Sequence, residues 1–571
     1  MDLLKAAYVI DEAQWEKTNG EGKTYWWAYI EEILDRIGLT AEKVHAADLP
    51  TKLHDFSTLF IGNIDASSLA SNLDAWVRNG GTLFACGTSG LDGICGNRFI
   101  RQIPQSNDEF SITGELHLTK GIHKEIRFPI YVGKPLLLAG AIRLVNAESS
   151  TVIATTQNHA VITSQKYGDG WAFYFGFDLA KTFWVIQQGR PVDSDYDGDG
   201  YLRTGDALVT GDYEPEIPYT DELMILLERF VGLSGIPLIH RLPPVNDKIP
   251  DVLLFYGGDD EGSTGVQIPA AEFMASRKLP YHINCMLLDG KYGLNPGEIR
   301  RLDELGTELA PHFDFINGFA HPTGFSREDV LTQTKAFIKH FNRQPFTSNC
   351  HWCRWTSYHE PALWLSEAGI RGDNSFVHRR LDVLNPTNTI GFAFGTAFPF
   401  NIYANHAYGN RRTGVVELPI TAYEVGYTAG GTDFPTLERA LKLAIHYGST
   451  MNFFYHPVYI SQQKTCRNAI DRLLSLIKEW GITPVHSTPD ALAKWWIDRN
   501  DSQIKDIRKT DGKETFTIQT PSELGCIVKL RYFGAPPSIS LPYRTIKLDK
   551  QSSWLMIAVP PGETRVEIKF E

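Results

Sequence analysis

The chain has 571 residues, which is too long for one hydrophobic core and predicts several domains. Hydrophobic residues make up 43% and charged residues 21%, as in soluble globular proteins, while aromatic residues reach 12% with 13 tryptophans. The net charge of −12 argues against nucleic acid or an anionic membrane as the main partner, because phosphate binding requires clustered lysine and arginine.

Residues 1–242 alternate predicted strands and helices, beginning with a strand at Ala6–Ile10 and a helix over 26–37. This βαβ rhythm predicts a mostly parallel sheet flanked by helices, an α/β sandwich. The stretches 76–83 and 167–176 resemble the class I glutamine amidotransferase-like fold, an accessory domain in carbohydrate enzymes. Neither Cys86 nor Cys95 has the strand-to-helix elbow and the His and Glu partners of a nucleophile, so we expect this domain to be non-catalytic.

An acidic loop closes this first domain. Counted from Asp195, carboxylates occupy positions one, three and five, glycine position six, a carbonyl position seven and Asp position twelve. This spacing is typical of calcium loops, in which oxygen ligands wrap a large cation and glycine makes the sharp turn. It resembles the loops of EF-hands and dockerins. We therefore expect a structural Ca²⁺ held by Asp195, Asp197, Asp199, Tyr201 and Asp206.

Residues 249–496 again alternate strands and helices, including a helix that begins at a capping box of Ser326 and Asp329. About 250 residues of this kind favour a distorted (β/α) barrel. Residues 500–571 change to short alternating runs with Pro and Gly between them, which predict a small β-sandwich. The predicted fold is thus α/β multidomain, with a sandwich, a barrel and a β module in chain order.

Chemistry-bearing side chains cluster at predicted strand ends of the middle domain. Asp259 and Asp260 follow the apolar run 252–256 and Gly257-Gly258, so that one carboxylate can bind a cation while the other handles a proton. His312 and His321 lie near later strand ends and His456 follows another apolar strand. Because strand ends of a β/α barrel converge on one face, these residues predict a catalytic metal site with positions left for water and substrate.

The same residues resemble the polysaccharide deacetylase (NodB-homology) family of carbohydrate esterases over about residues 249–495. Its Thr-Phe-Asp-Asp motif is similar to 256–260, its His-x-x-x-His pair to His312 and His321, and its late Leu-His motif to Tyr455-His456. Two features depart from the family: the histidines are nine residues apart instead of four, and glycines replace Thr-Phe. The resemblance implies a hydrolase that removes N- or O-linked acetyl groups from a carbohydrate.

The resemblance also implies roles for individual residues. Asp260, His312 and His321 would hold Zn²⁺ or another divalent transition metal. Asp259 would be the general base and His456 the general acid, while Arg354 and Asp373 would orient Asp259 and His456 respectively. Trp352 and Trp355 are candidates to stack on the substrate sugar.

Two other functions fit the sequence: a barrel glycosidase or lyase with two carboxylates, and a non-catalytic carbohydrate-binding protein. Seven cysteines, an odd number without dense spacing, predict free thiols rather than a disulfide framework. No export signal and no long apolar stretch is evident, so we expect a cytoplasmic protein unless a leader was removed. The accessory domains leave homo-oligomer formation open.

Overall fold

The computed structural model describes residues 3–119, 134–211, 213–246, 248–379, 389–428, 430–510, 512–532, 538–539, 546–549 and 553–570. In this part of the chain, no helix is long and apolar enough to cross a membrane.

The N-terminal region is built on a mixed sheet of eleven described strands. Its parallel half matches the predicted βαβ rhythm and has the spatial order Ala41–His45, Ala6–Ile10, Thr58–Gly62, Thr82–Cys86 and Gly170–Phe175. The other half is an antiparallel extension that the rhythm did not predict; it contains Asn97–Ile103, Ile112–Leu118, Leu136–Ala139, Ile142–Ala147, Thr151–Thr156 and His159–Tyr167. The helices are Glu12–Gly20, Ile30–Ile37, Leu49–Lys52, Ala70–Arg78, Leu179–Gln188 and Tyr219–Gly232.

The described part of the central region contains eight parallel strands, and consecutive strands pair with each other except for the sixth and the seventh. They are β1 (Val252–Asp259), β2 (His282–Met286), β3 (Glu308–Phe313), β4 (Thr347–Cys350), β5 (Gly372–Asp373), β6 (Arg412–Glu417), β7 (Ala422–Tyr423) and β8 (Thr450–Phe454). β8 returns to pair with β1. The described helices are Gln267–Ser276, Pro296–Glu304, Arg327–Phe341, Glu360–Glu367, Phe434–Tyr447, Pro457–Gln462, Lys464–Glu479 and Pro489–Asn500.

This arrangement has the strand order of a β/α barrel, but the barrel is not closed. Within the described residues no ladder joins β6 to β7, so the sheet stays open there. Further strands lie beside it: Phe400–Tyr403 antiparallel to β6, Thr389–Ile390 antiparallel to β7, Pro484–Ser487 parallel to β1, and a small hairpin of Tyr427–Thr428 and Gly431–Thr432. The carboxyl ends of the parallel strands still share one edge, which is where the site lies.

Two small antiparallel sheets follow at the C-terminus. One contains Leu3–Leu4, Gln503–Thr510, Lys513–Thr520, Gly562–Lys569 and Ser538–Ile539. The other contains Leu238–Ile239, Cys526–Arg531, Trp554–Val559 and Ile546–Asp549. Each sheet thus takes a strand from outside the predicted range 500–571, and one continuous hydrophobic core joins this module to the N-terminal region.

The segment from Val192 to Leu208 belongs to the predicted first domain but packs against the central region. Val192 pairs with Ser357 across an isolated bridge, and Val192 and Leu208 lie in the same buried cluster as Phe313 and Trp355. This segment therefore forms part of the wall beside the strand ends.

Candidate metal centre

The site begins where β1 ends. Every residue of β1 is buried, as expected of a parallel strand covered on both faces. At its end, Asp259, the last residue of β1, and Glu261 just after it face three imidazoles. The Asp259 Oδ1 atom accepts a hydrogen bond of 2.8 Å from the side-chain amide of Asn284, which leaves Oδ2 directed at the imidazoles.

Gly258 allows β1 to approach β8 closely at this point. A Cβ atom on Gly258 would lie 2.0 Å from the carbonyl oxygen of Tyr455 and 2.9 Å from the Cα of His456. No larger residue fits without displacing backbone. The glycine pair before the acids thus brings Asp259 beside His456.

Three histidines come from the carboxyl ends of three different strands. His312 lies in β3, His351 directly after β4, and His456 two residues after β8. The Nε2 atoms of His312 and His456 lie 3.6 and 3.8 Å from Asp259 Oδ2 and 4.0 and 3.4 Å from Glu261 Oε1. His351 Nε2 lies 2.8 Å from Glu261 Oε2. The five side chains therefore surround one small space.

His312 is the most informative member of this cluster. It is 1% exposed, and among the described residues neither of its ring nitrogens has a hydrogen-bond partner. A buried polar atom without a partner is costly unless an ion or water satisfies it. The donor atoms of His312, His351 and Glu261 all lie within 4.8 Å of one another, so these residues fit a divalent metal ion with two imidazoles and one carboxylate.

Two of the imidazoles are held from behind by carboxylates. His351 Nδ1 lies 3.3 Å from Asp314 Oδ1, and His456 Nδ1 lies 2.5 Å from Glu424 Oε1. Such contacts fix the ring orientation and aim Nε2 at the cluster, as carboxylate–histidine pairs do around metal ions.

The charges in the cluster shift its protonation equilibria in both directions. Burial lowers the pKa of His312, which keeps its imidazole neutral and able to bind a metal. Burial also acts to lower the pKa of His456, but hydrogen bonds to Glu261 and Glu424 outweigh it and raise that pKa well above its usual value. Burial likewise acts to lower the pKa of His351, but without a metal the hydrogen bonds to Asp314 and Glu261 outweigh it and raise that pKa to about 9.

The backbone is strained at three residues around the site. Glu261, Trp352 and Glu424 have φ values of 51°, 56° and 50°, in the left-handed region that side chains other than glycine avoid. Such strain persists where the surrounding structure imposes it and clusters at functional sites.

The structure does not place Asp260 and His321 where the sequence predicted metal ligands. The Asp260 carboxylate points away from the imidazoles and accepts hydrogen bonds from the amides of Gly262 and Met286 and from the side chain of Gln267. His321 is exposed and bonds to the carbonyl of Ile316. The strand ends at Asp259, and in the turn that follows it Glu261, with its left-handed backbone, rather than Asp260 faces the imidazoles beside Asp259.

Arg354 and Asp373 also differ from their predicted roles. The Arg354 guanidinium is buried and donates to the carbonyls of Phe315, Leu202 and Thr323, with no bond to Asp259. Asp373 accepts hydrogen bonds from Ser348 and Ser375. The carboxylate behind His456 is Glu424, and the group that orients Asp259 is Asn284.

The two tryptophan candidates have different environments. Trp355 is 2% exposed and its indole donates to the carbonyl of Tyr358, so it is a core residue and cannot stack on a sugar. Trp352 is 48% exposed beside His351. Its ring packs edge-on against Tyr201 at 5.1 Å, and Tyr201 packs on His321 at 4.4 Å. Tyr201, His321 and Trp352 form an aromatic rim next to the metal centre.

The acidic loop gathers part of its predicted ligand set. Donor oxygens of Asp195, Asp197 and Asp199 lie within 4.8 Å of one another. The Asp206 carboxylate accepts hydrogen bonds from the amides of Tyr196, Asp197 and Arg203, and Asp199 forms an ion pair with Arg203. The calcium ion stays a prediction.

Sequence reasoning missed Glu261, His351, Glu424, Asp314 and Asn284. His351 follows the strand Thr347–Cys350 directly, but the polar sequence of that strand gives no apolar run to mark its end. Its position in Cys350-His351-Trp352-Cys353 also drew attention to the cysteines. Both of these cysteines are free thiols, as are the other five. Glu261 was the third acid of a run in which only two had been considered.

Comparisons with known proteins do not assign this chain to a family. No family model matches the sequence, and no curated protein matches it. Similar solved structures include the cold-adapted β-galactosidase from Rahnella sp. R3, with 14% identity over 32% of this chain and 30% of that chain, and a TM-score of 0.25. The β-galactosidase from Bacillus circulans sp. alkalophilus has 12% identity over 31% and 28%, with the same TM-score.

A third similar structure is SMU.1228c, with 15% identity over 40% of this chain and all of that chain, and a TM-score of 0.25. The chain spans less than a third of the length of the two β-galactosidases. TM-scores of this size indicate no shared fold or function.

Proposed function

We propose that the protein is a metal-dependent hydrolase that removes acetyl groups from a carbohydrate. The observation that carries the proposal is His312, a buried imidazole that has no hydrogen-bond partner in the described part of the chain and faces Asp259 and Glu261 between two further imidazoles. The resemblance to polysaccharide deacetylases is the reason for proposing acetyl as the group removed, and the aromatic rim supports a sugar as the substrate.

Glu261, His312 and His351 would hold the ion, since their donor atoms form one compact group. Zn²⁺ is the ion that two imidazoles and one carboxylate favour. When bound, it would polarise the acetyl carbonyl and acidify a water molecule. This set replaces Asp260 and His321 of the sequence prediction with Glu261 and His351.

The two remaining members of the cluster have the geometry of a base and an acid. Asp259 Oδ2 accepts the proton of the attacking water, while Asn284 holds Oδ1. His456, kept protonated by Glu261 and Glu424, donates its Nε2 proton to the departing nitrogen or oxygen of the sugar. A C–O bond forms from water, the acyl C–N or C–O bond breaks, and acetate leaves.

The aromatic rim would bind the sugar ring that carries the acetyl group. Trp352 presents an exposed indole face directly beside His351, and aromatic rings stack well on the apolar faces of sugars. Its strained backbone indicates that this exposure is imposed by the fold rather than incidental.

A glycosidase is the second candidate, because two carboxylates lie in the site. The donor atoms of Asp259, Glu261 and His456 lie within 4.8 Å of one another, near the separation of about 5–5.5 Å between the acids of retaining glycosidases. Three imidazoles nevertheless face the same carboxylates, and glycoside cleavage has no use for them. We therefore favour the metal hydrolase.

The test uses full-length protein stripped of metal by a chelator, with millimolar Ca²⁺ present to fill the acidic loop. Zn²⁺ binding is measured by calorimetry, and acetate and reducing ends are measured on acetylated chitooligosaccharides and acetylated xylan. We expect one Zn²⁺ per chain and acetate release only after Zn²⁺ is added, with the Zn²⁺ affinity of His321→Ala equal to that of the wild type. Reducing ends released without metal would establish the glycosidase instead, and a chain that binds no Zn²⁺ would contradict both the site and the activity.

A further inference from the structure

A second group of histidine and carboxylates lies at the opposite, amino-terminal ends of the strands. His282 begins β2, Glu308 begins β3, and Asp490 lies in the first turn of the helix Pro489–Asn500. His282 Nδ1 lies 3.2 Å from Glu308 Oε2 and 3.9 Å from Asp490 Oδ1. The imidazole itself is 1% exposed.

A continuous chain of hydrogen bonds joins this group to Asp259. His282 and Asn284 are two residues apart in β2, so their side chains lie on the same face of the sheet. His282 Nε2 lies 2.9 Å from Asn284 Oδ1, and Asn284 Nδ2 lies 2.8 Å from Asp259 Oδ1. Asn284 is as deeply buried as His282.

Donors and acceptors along this chain fit only one assignment. Asn284 must direct its amide nitrogen at Asp259, because its oxygen would repel the carboxylate. Its oxygen then requires a proton on His282 Nε2, and the Glu308 carboxylate requires one on Nδ1. Both ring nitrogens of His282 therefore carry protons, and Glu308 and Asp490 balance the charge of the imidazolium.

We propose that His282 is a positioning residue for the base: it locks the Asn284 amide so that its nitrogen holds Asp259 Oδ1 and leaves Oδ2 free for water. The proposal rests on the proposed function, since it takes Asp259 as the base. Among the described residues, the His282 imidazole interacts with Asn284, Glu308 and Asp490 and with none of the residues that would hold the ion, so it acts on Asp259 through Asn284.

These three residues could also be taken for a second metal site, because their donor atoms lie close together. Each donor already has a partner, however: Nε2 bonds to Asn284, Nδ1 to Glu308, and Asp490 accepts a hydrogen bond from the Thr347 hydroxyl. The contrast with His312 favours a hydrogen-bonded network over an ion.

The kinetic test compares His282→Leu and His282→Gln in the full-length, Zn²⁺-loaded protein. Leucine removes the donor to Asn284, so kcat for acetate release should fall about 10-fold while KM and Zn²⁺ affinity stay within twofold. Glutamine places an amide nitrogen near the position of Nε2 and should restore most of the lost kcat. The matched control is His486→Gln, a partly buried histidine that bonds to Tyr256 and should leave kcat unchanged.

A second readout does not depend on activity. In metal-free protein labelled with ¹⁵N-histidine, His282 should show two protonated ring nitrogens at pH 7.5, identified by the loss of its signals in His282→Gln. A neutral ring, a leucine variant with wild-type kcat, or a glutamine variant no better than leucine would overturn the role of His282. A wild type that releases no acetate would instead overturn the proposed function, and the role of His282 with it.

Discussion

Both ends of the central sheet carry histidines close to carboxylates, but the two groups differ in whether the imidazole nitrogens have hydrogen-bond partners. At the carboxyl ends, the His312 imidazole is buried with no hydrogen-bond partner among the described residues, and carboxylates face it at 3.6–4.0 Å. At the amino ends, both nitrogens of His282 meet acceptors at 2.9 and 3.2 Å. The first cluster has the properties of a ligand set, and the second those of a completed network.

This difference shows that residue composition does not identify a metal site. Histidine with two carboxylates occurs at both ends, and donor spacing alone would select both. What separates them is the balance of donors and acceptors: one cluster is incomplete without a cation, and the other is complete without one.

Metal binding should show the largest contrast between the two ends. His312→Ala removes the central ligand, so we expect Zn²⁺ affinity to fall by more than about 100-fold and acetate release to fall below detection. Glu308→Gln, its counterpart at the amino ends, should bind Zn²⁺ as the wild type does. Calorimetric titration of both metal-free proteins checks this, and loss of binding in Glu308→Gln would reverse the assignment of the two clusters.

Turnover should separate Asp259 from its neighbour Asp260. Asp259→Asn cannot accept a proton, so kcat should fall by about 10²–10⁴-fold while Zn²⁺ still binds. Asp260→Asn should keep most turnover but lower the melting temperature, since Asp260 accepts two backbone amides and the Gln267 side chain. Equal loss of kcat in the two variants would contradict the division of roles between these adjacent acids.

Substrate binding should depend on the rim at the carboxyl ends. Trp352→Ala removes the exposed ring beside His351, and we expect KM for an acetylated oligosaccharide to rise about 5- to 20-fold with kcat little changed, the effect of losing about 1–2 kcal/mol of stacking. Trp480→Ala, which removes another exposed tryptophan at the end of the helix Lys464–Glu479, is the control. An unchanged KM would remove the rim from the binding site.

The smallest expected effect is the contribution of His282, at the amino ends of the strands, to the pH dependence of the protein's stability. Burial acts to lower the pKa of His282, but Glu308, Asp490 and Asn284 raise it above its ordinary value. The folded state therefore binds this proton more tightly than the unfolded state does. The resulting contribution to the free energy of unfolding is complete below about pH 6.5 and is lost as pH rises through the raised pKa. Urea unfolding of metal-free protein should show this decline in the wild type and a flatter curve in His282→Gln; parallel curves would show that His282 is neutral.

The sequence predicted those site residues that lie at the carboxyl ends of apolar strands. Asp259, His312 and His456 each follow or end an apolar run, and the parallel strands bring them to one edge as expected. Spacing within a loop was a poorer guide. His321 lies in the loop after β3, which turns outward, whereas His351 enters the cluster from the next strand.

Other parts could not be predicted because they depend on backbone geometry or on distant packing. Glu261 reaches the cluster from a left-handed residue after β1, which no periodicity signals. Glu424 lies 32 residues before its partner His456, and nothing local links the two. The antiparallel half of the N-terminal sheet and the open seam between β6 and β7 likewise reflect long-range pairing rather than local pattern.

The segment Val192 to Leu208 bears on any attempt to shorten this protein. A chain cut near residue 249 would lose the Tyr201 ring and uncover the apolar faces of Phe313 and Trp355, which the segment now shields. An exposed apolar patch of this kind promotes aggregation. The central unit is therefore discontinuous in sequence, and fusion or domain-exchange designs must carry residues 192–208 together with the strands that they cover.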